Sequence, residues 1–507
     1  VSKIKWIAPL LVILALSLVL GGCSRKQDPT DDGLAPTWEE PTSGGEEEEE
    51  GPGQALEQGS ALTDAGALPS AGSPGQVYFV EAGDTLSGIA ALFGCSVDDL
   101  MEANPLADPN ALQIGQQLNI PSTIAEPGPA VQLLPNSEFV NGPAYVDFDL
   151  GVFTAQQGGY LFTYQEYVDG QLLNGPEIVG LVAHHYSVGP RLLLAVLEYE
   201  SGWVTQADPS LYVPLGSRGG GWDTFASQLA WAANRLNEGY YNWRGRGMPL
   251  IVWSDGSTSS YAPTLNAATA ALQYFFALNS TKSDWEVIVD QGRDSFLETY
   301  RSLFGDPDQY AIEPLIPAGI ESPTLSLPFA EGELWYYTGG PHGGWDFGSD
   351  RGSAWAAVDF VPDEGFLGCA MAASWARAAA PGLVIYSQNG EVMIDLDGDG
   401  YEETGWVLFY LHVGSQGRVA VDTYVQPGDP IGHPSCEGGF SQSTHLHLAR
   451  KYNGEWIAAD GPLPLILSGW QFHASSIPYD GTATRSNQER TACECRDPDF
   501  NGLTVGR

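Results

Sequence analysis

Basic residues are scarce in this chain of 507 residues: 21 Lys and Arg stand against 63 Asp and Glu, for a formal net charge of −42. Such a surface repels phosphates, so nucleic acid is excluded as a partner. The charge favours solubility and fits a secreted surface, but says nothing of fold. Cysteine is also scarce, at six. None has zinc-finger spacing, because Cys493 and Cys495 have a single residue between them and stand alone. Setting Cys23 aside leaves five, so at least one is unpaired or joined to another chain. Histidine numbers only eight, yet His342, His412, His433, His445 and His447 fall in one stretch. Trp, Tyr and Gly are abundant, which is compatible with carbohydrate or cell-wall work. The length exceeds one core, and three domains with linkers are expected.

At the N-terminus Lys3 and Lys5 precede an apolar run over 6–20, followed by Gly21, Gly22 and Cys23. A charged start, a short apolar run and small residues before a cysteine make a secretory signal. The run is barely long enough to span a bilayer. Its ending resembles the bacterial lipoprotein lipobox. That implies a signal peptide over 1–23, lipid on Cys23 and an extracytoplasmic protein held to the cell membrane, facing the cell wall. A transmembrane anchor with an incidental cysteine is the other reading. Residues 24–76 carry Gly, Ser, Pro and acid, with Glu unbroken over 46–50, and read as a disordered acidic linker.

Residues 77–121 read as strand, helix, helix, strand. The first strand covers 77–80, Asp84 or Thr85 caps a helix to 93, Ser96 caps another to about 104, and 112–120 returns. With Gly83-Asp84-Thr85-Leu86 and Asn104-Pro105, this order resembles the LysM module. The resemblance implies binding of N-acetylglucosamine-containing glycan, with Gly83, Asp84, Thr85 and Leu86, and Ile114 opposite, lining the groove. Capping the helix is the plainer role of the same residues. Cys95 reads as a small buried hydrophobe.

A linker over 122–134 leads to a mainly helical region over 135–312. Helices are expected at 177–186, from Pro190 onward, and at 228–237, 266–278 and 285–304. Residues 192–197 are apolar all round, so that helix is buried. At its end Glu198-Tyr199-Glu200-Ser201-Gly202 resembles the catalytic stretch of the lysozyme-like lytic transglycosylases, which implies Glu200 as general acid. Burial and the negative helix end both raise a carboxyl's pKa, as that role requires. The family's Gly-Leu-Met-Gln element is not found and no second carboxylate is placed. A helical domain that only binds glycan or spaces the ends is the alternative. His184 and His185 have no ligand-spaced Asp, Glu or Cys beside them and read as structural.

From 325 to 480 the pattern is short strands, at 383–386, 392–394, 407–411, 418–420 and 445–448, between Gly and Pro turns. The remainder, 481–507, reads as a C-terminal tail. His445 and His447 are two apart in a strand and face the same way. His342 sits in a glycine-rich loop, and His412 ends a strand. Asp359 interrupts an apolar strand over 356–360, and a buried acid needs a partner. Catalytic zinc commonly takes three N or O ligands, and a loop His, a strand Asp and a strand His supply them.

Ser435-Cys436-Glu437-Gly438-Gly439, Thr444-His445-Leu446-His447 and Tyr452-Asn453-Gly454-Glu455-Trp456 resemble the zinc endopeptidases of the lysostaphin, LytM and β-lytic group, the β-lytic branch most. The resemblance implies zinc on His342, Asp359 and His447, with His412 and His445 flanking the reacting water and the developing oxyanion. It implies peptidoglycan peptides as substrate and a Cys369–Cys436 disulfide, leaving a Cys493–Cys495 link or none. Asp346 has the His-x-x-x-Asp spacing of the lysostaphin branch, but its loop is polar, and Asp359 is preferred. His433 and His473 read as structural. Separately, Asp395, Asp397, Asp399 and Glu403 resemble an Asp-x-Asp-x-Asp-Gly calcium loop, which implies calcium. Position twelve is Trp406 rather than Glu, and an acidic hairpin turn is the alternative.

The expectation is a multidomain α+β chain: a small βααβ module, a mainly α lysozyme-like domain and an antiparallel β metallopeptidase domain. The function expected is a membrane-anchored peptidoglycan hydrolase with zinc endopeptidase activity. The alternative is a non-hydrolytic peptidoglycan-binding scaffold or a regulator of another wall hydrolase. A full set of zinc ligands favours the enzyme.

Overall fold

The computed structural model describes residues 76–80, 84–92, 97–104, 106, 112, 116–120, 128–210, 214–215, 223–245, 250–254, 257–345, 354–365 and 367–506. Cys23, Gly83, Cys95, Ile114 and Asp346 lie outside the described residues.

In the first module the strand Gln76–Phe79 pairs antiparallel with Gln117–Ile120. The helices Leu86–Leu92 and Val97–Ala103 lie between them in sequence. Thr85 Oγ1 accepts the Gly88 N–H at 3.0 Å, satisfying a donor that the first helical turn leaves open. Asn104 is 3% exposed. Its amide donates to the carbonyls of Leu100 and Asn119, and its oxygen accepts the Asn119 N–H. One side chain thus pins the end of the second helix to the returning strand.

The helical layer begins earlier than expected. Leu133 and Leu134 are buried, Thr269 Oγ1 accepts the Leu133 N–H at 2.9 Å, and Gln273 donates to the Pro129 carbonyl. The later part of the expected linker therefore packs into the layer. A capping box of Asn174 and Glu177 starts the helix Gly175–Tyr186. The helix Pro190–Ser201 starts on proline and stops at Gly202, whose φ of 71° suits a residue without Cβ. Its apolar run is fully buried, as its pattern requires. Phe225–Gly245 and Ala267–Ala277 pack against each other. The single helix expected over 285–304 is two, Lys282–Ile288 and Phe296–Phe304. Ser295 accepts the Glu298 N–H and starts the second helix afresh, a local bond that competes with a continuous helix.

Glu138, fully buried, ties this layer together. It accepts from Arg191 Nε at 2.9 Å and from the Tyr145 and Tyr300 hydroxyls.

Beyond residue 330 lies an antiparallel sheet, nine-stranded among the described residues. Its spatial order is Tyr424–Val425, Gly382–Gln388, Glu391–Asp395, Trp406–Leu411, Leu446–Tyr452, Ala357–Pro362, Leu334–His342 and Gly502–Thr504, with Glu455–Trp456 beside Leu446–Tyr452. Residues 418–420 form no strand; Tyr424–Val425 takes the edge instead. The expected tail is structural: Gly502–Thr504 completes the sheet. Gly481–Arg485 and Gln488–Thr491 join a second, four-stranded sheet with Ile466–Leu467 and Trp470–Ala474. Disulfides join Cys369 to Cys436 and Cys493 to Cys495.

Alternation along the large sheet separates two cores. Val358, Phe360, Leu408, Tyr410, Leu446 and Leu448 fill one. Ala357, Met393, Val407, Phe409 and Ala449 pack with the helical layer in the other. Asp359 and His447 share the parity of the second set, so the helical layer packs onto the sheet face that carries them. Among the described residues no helix is long and apolar enough to cross a membrane.

Candidate metal centre

The centre is set by strand register. His447, in Leu446–Tyr452, stands opposite Asp359, in Ala357–Pro362. His342 ends the adjoining strand Leu334–His342, where two register shifts bring it level with the other two. His342 is 2% exposed, Asp359 7% and His447 5%.

Three atoms converge. His342 Nε2 lies 3.1 Å from His447 Nδ1 and 3.4 Å from Asp359 Oδ1, and His447 Nδ1 lies 3.2 Å from the same oxygen. The far nitrogen of each imidazole faces a backbone carbonyl: His342 Nδ1 is 2.7 Å from Gly340 O, and His447 Nε2 is 2.8 Å from Gly344 O. Carbonyls accept only, so those nitrogens carry the hydrogens. The converging nitrogens then carry lone pairs, aimed at each other and at a carboxylate oxygen that is buried without a hydrogen-bond partner. Three acceptors in one buried spot call for a cation. Ligand atoms about 2.0–2.1 Å from a tetrahedral ion are about 3.3 Å apart, so the set fits zinc. Carbonyl-locked histidines are its usual supporting shell.

The electrostatics agree. Burial would push Asp359 up, but His342 and then His445 hold its carboxyl well below the usual range. Burial pushes His447 down, and His342 adds to this against the pull of Asp359. Both ligands therefore keep their lone pairs near neutral pH.

His412 and His445 stand alongside, ring centroids 4.3 Å apart. His445 Nδ1 meets Ser443 O at 2.7 Å, and its Nε2 lies 3.8 Å from Asp359 Oδ1. His412 Nδ1 meets Glu437 O at 3.1 Å. Burial pushes His412 well down, with His445 and His447 adding to it. His412 has φ 64°, left-handed for a non-glycine residue, the kind of strain held where the surroundings over-determine it. The Ser435 amide and hydroxyl both donate to its carbonyl and hold it there. The Cys369–Cys436 bridge fastens that loop.

Several residues of this centre escaped sequence reasoning. Tyr479 stacks on His342 with centroids 4.0 Å apart. Glycine at 344 permits close approach: a Cβ there would meet Trp456 Cε3 at 2.6 Å. Only the glycine richness of the loop hinted at the two carbonyl supports.

The other expected residues lie elsewhere. Glu200 stays half-buried at the end of Pro190–Ser201 and is not part of the His342 cluster. Its neighbour Glu198 accepts the Val204 and Thr205 amides at 2.9 and 3.0 Å and shapes the following loop. His433 meets Ser374 O, and His473 meets the Thr484 hydroxyl. Asp84 accepts from the Tyr78 hydroxyl at 2.8 Å, and Thr85 is exposed. Both line a cavity of about 540 Å³ with Tyr241, Arg244 and Trp456. Leu86 is 4% exposed and belongs to the core.

The structure lends the calcium expectation no further support. Asp395, Asp397 and Asp399 cluster, but Glu403 is not among them. Asp395 is fully buried, and its oxygens accept the amides of Asp397, Gly398 and Gly400. Burial and then the Asp395 hydrogen bond push Asp397 up to about 6. These bonds fit the acidic hairpin turn, in which the buried carboxylate accepts from the backbone.

Comparison with known proteins places two segments. Residues 132–318 match the family described as "LasA, N-terminal domain", and residues 78–121 match the LysM domain. The first covers most of the region expected to be lysozyme-like. Two curated relatives are N-acetylmuramoyl-L-alanine amidases of Bacillus subtilis (strain 168). XlyB is 52% identical over 46 residues, 9% of this chain and 14% of its own. XlyA is 40% identical over 65 residues, 13% of this chain and 22% of its own. The chain thus spans less than a quarter of either relative. Among solved structures, the deep-sea M23 metalloprotease pseudoalterin is 22% identical, covering 33% of this chain and 95% of that one, with a TM-score of 0.27. The catalytic domain of lysostaphin from Staphylococcus simulans is 22% identical, covering 25% of this chain and 87% of that one, with a TM-score of 0.17. The chain therefore carries a LysM domain at 78–121 and, at 132–318, a domain like the N-terminal domain of LasA.

Proposed function

We propose that this protein is a zinc-dependent endopeptidase acting on the peptide part of peptidoglycan and brought to the wall by its LysM domain. The observation that carries this reading is the convergence of His342 Nε2, His447 Nδ1 and Asp359 Oδ1, each within 3.4 Å of the other two. His342, Asp359 and His447 would hold the ion. Zinc there supplies Lewis acidity, which polarises a carbonyl and acidifies water. The chain's own residues do the rest. Gly340 and Gly344 fix both ligand tautomers. His412 and His445 each give Nδ1–H to a carbonyl, and His445 holds its Nε2 3.8 Å from Asp359 Oδ1. A neutral imidazole so held can take a proton from water and return it to the leaving amine.

Lipid on Cys23 would hold the protein at the membrane, and the acidic stretch after it would let the domains reach the wall. A non-hydrolytic wall binder is the second reading, favoured by the helical layer packed on the ligand-bearing face.

Zinc analysis together with mass spectrometry of digested, purified peptidoglycan tests both. New amino termini without new reducing sugar ends, lost in Asp359→Ala, support the peptidase. Binding without any new ends, at full zinc content, supports the binder and overturns the enzyme.

A further inference from the structure

His184 and His185 lie in the last turn of Gly175–Tyr186 and reach across to the large sheet. His184 Nε2 is 3.0 Å from Glu391 Oε2, and His185 Nε2 is 3.0 Å from Glu391 Oε1. Glu391 opens the strand Glu391–Asp395 and is fully buried. On the other side of His184, Nδ1 meets Glu402 at 2.7 Å, and Glu402 holds Lys451 Nζ at 2.9 Å. Glu402 accepts, so Nδ1 carries the hydrogen, and in a neutral ring the Nε2 lone pair faces Glu391. A lone pair aimed at a buried carboxylate 3.0 Å away requires a cation.

We propose that a divalent transition ion of the zinc class binds His184 Nε2, His185 Nε2 and the Glu391 carboxylate, stapling the helical layer to the sheet. Two imidazoles and one carboxylate form a zinc-type set, and the ligand atoms all lie within 4.8 Å of one another. Glu402 is the outer carboxylate that orients a metal-bound histidine. Lys451 balances the Glu402 charge, leaving the Glu391 charge for the ion. The His185 ring is held by stacking on Trp345, centroids 3.8 Å apart. A cavity of about 380 Å³, lined by His184, Tyr386, Asn389 and Glu402, opens beside the cluster and gives the ion a route in. A proton is the competing cation. Burial would push His184 down, but Glu402 and Glu391 hold it up at about 10. In the ion's absence the same contacts close on an imidazolium.

The staple does not rest on the peptidase reading, and its test separates the two. The full chain is stripped, reloaded with zinc, freed of unbound ion and analysed for metal. Wild type is expected to retain two equivalents, Glu391→Gln one and Asp359→Ala one. Two equivalents in Glu391→Gln overturn the staple, as does a single equivalent in wild type that Asp359→Ala removes. Two in Asp359→Ala overturn the centre at His342 instead. Should Glu391→Gln not fold, cobalt titration of Asp359→Ala replaces it. A visible-band titration saturating at one equivalent supports the staple, and no band overturns it.

Discussion

His447 and Asp359 are directly paired residues of neighbouring antiparallel strands, with Nδ1 and Oδ1 3.2 Å apart. Their register is what makes a ligand pair. A slip by one residue would turn every side chain of one strand to the other face and set Leu446 or Leu448 against Asp359. Apolar packing of Leu446 and Leu448 in the opposite core guards against that slip.

Removing Asp359 should therefore empty the centre without unfolding the sheet. Asp359→Ala is expected to lose one zinc equivalent and wall-digesting activity together while keeping its circular dichroism spectrum. Retained activity would show that the reacting centre lies elsewhere.

His412 and His445 should behave differently. Neither is among the three convergent ligands, so His412→Ala and His445→Ala are expected to keep their metal. Each should lower turnover by about 10²–10⁴-fold, the usual range for a lost acid–base group. Metal content measured beside peptide release makes the distinction; loss of zinc in either variant would make that histidine a ligand.

Gly344→Ala tests the supporting carbonyl. The new Cβ would lie 2.6 Å from the Trp456 ring, so the ring or the backbone must shift, and a backbone shift carries Gly344 O away from His447 Nε2. Zinc affinity should fall about 10–100-fold, as when outer-shell partners are lost. Competition against a chromophoric chelator reads this directly, and an unchanged affinity would show that the Trp456 ring yields or that the carbonyl is dispensable.

Glu138 and Arg191 form a pair at 0% and 3% exposure. Glu138→Ala leaves the guanidinium buried without its partner and should cost about 3–5 kcal/mol. Urea denaturation followed by tryptophan fluorescence would measure it. A cost below about 1 kcal/mol, that of an exposed ion pair, would mean that water reaches Arg191.

The zinc-stripped protein should show a pH optimum in the attachment of its helical layer. His184 is held up at about 10 against an ordinary 6.5, so its contribution is complete below pH 6.5 and is lost as pH rises through 10. Burial would push Glu391 up, but His185 and His184 bring it down to about 2 against 4.5. Its contribution is complete above pH 4.5 and lost as pH falls through 2. Melting of the stripped chain should peak between pH 4.5 and 6.5, and Glu391→Gln should flatten the profile. A wild-type profile already flat would remove this electrostatic link.

Local pattern was enough for much of the chain. The capped helices, the all-round apolar helix at 192–197 and the alternating strands are short-range features, and periodicity and turn residues report them. The histidine pair at 445 and 447 and the lone acid at 359 stood out for the same reason: a polar residue in an apolar strand is visible without knowing its neighbours. The break between Lys282–Ile288 and Phe296–Phe304 was hidden because apolar spacing ran across it, while the Ser295 cap decided the matter.

By itself the sequence determined which residue types could bind a metal and which side of a strand each would take, because alternation is a property of the backbone. Only the tertiary structure decided the rest. It brought His342 to His447 across 105 positions and Glu391 to His185 across 206. It aimed the Gly340 and Gly344 carbonyls at the far ring nitrogens, turned the expected tail into a sheet edge, and laid the helical layer on the ligand-bearing face. Each of these depends on strand order, register shifts and close backbone approach. Those are set by packing between segments far apart in the chain, and no local spacing encodes them.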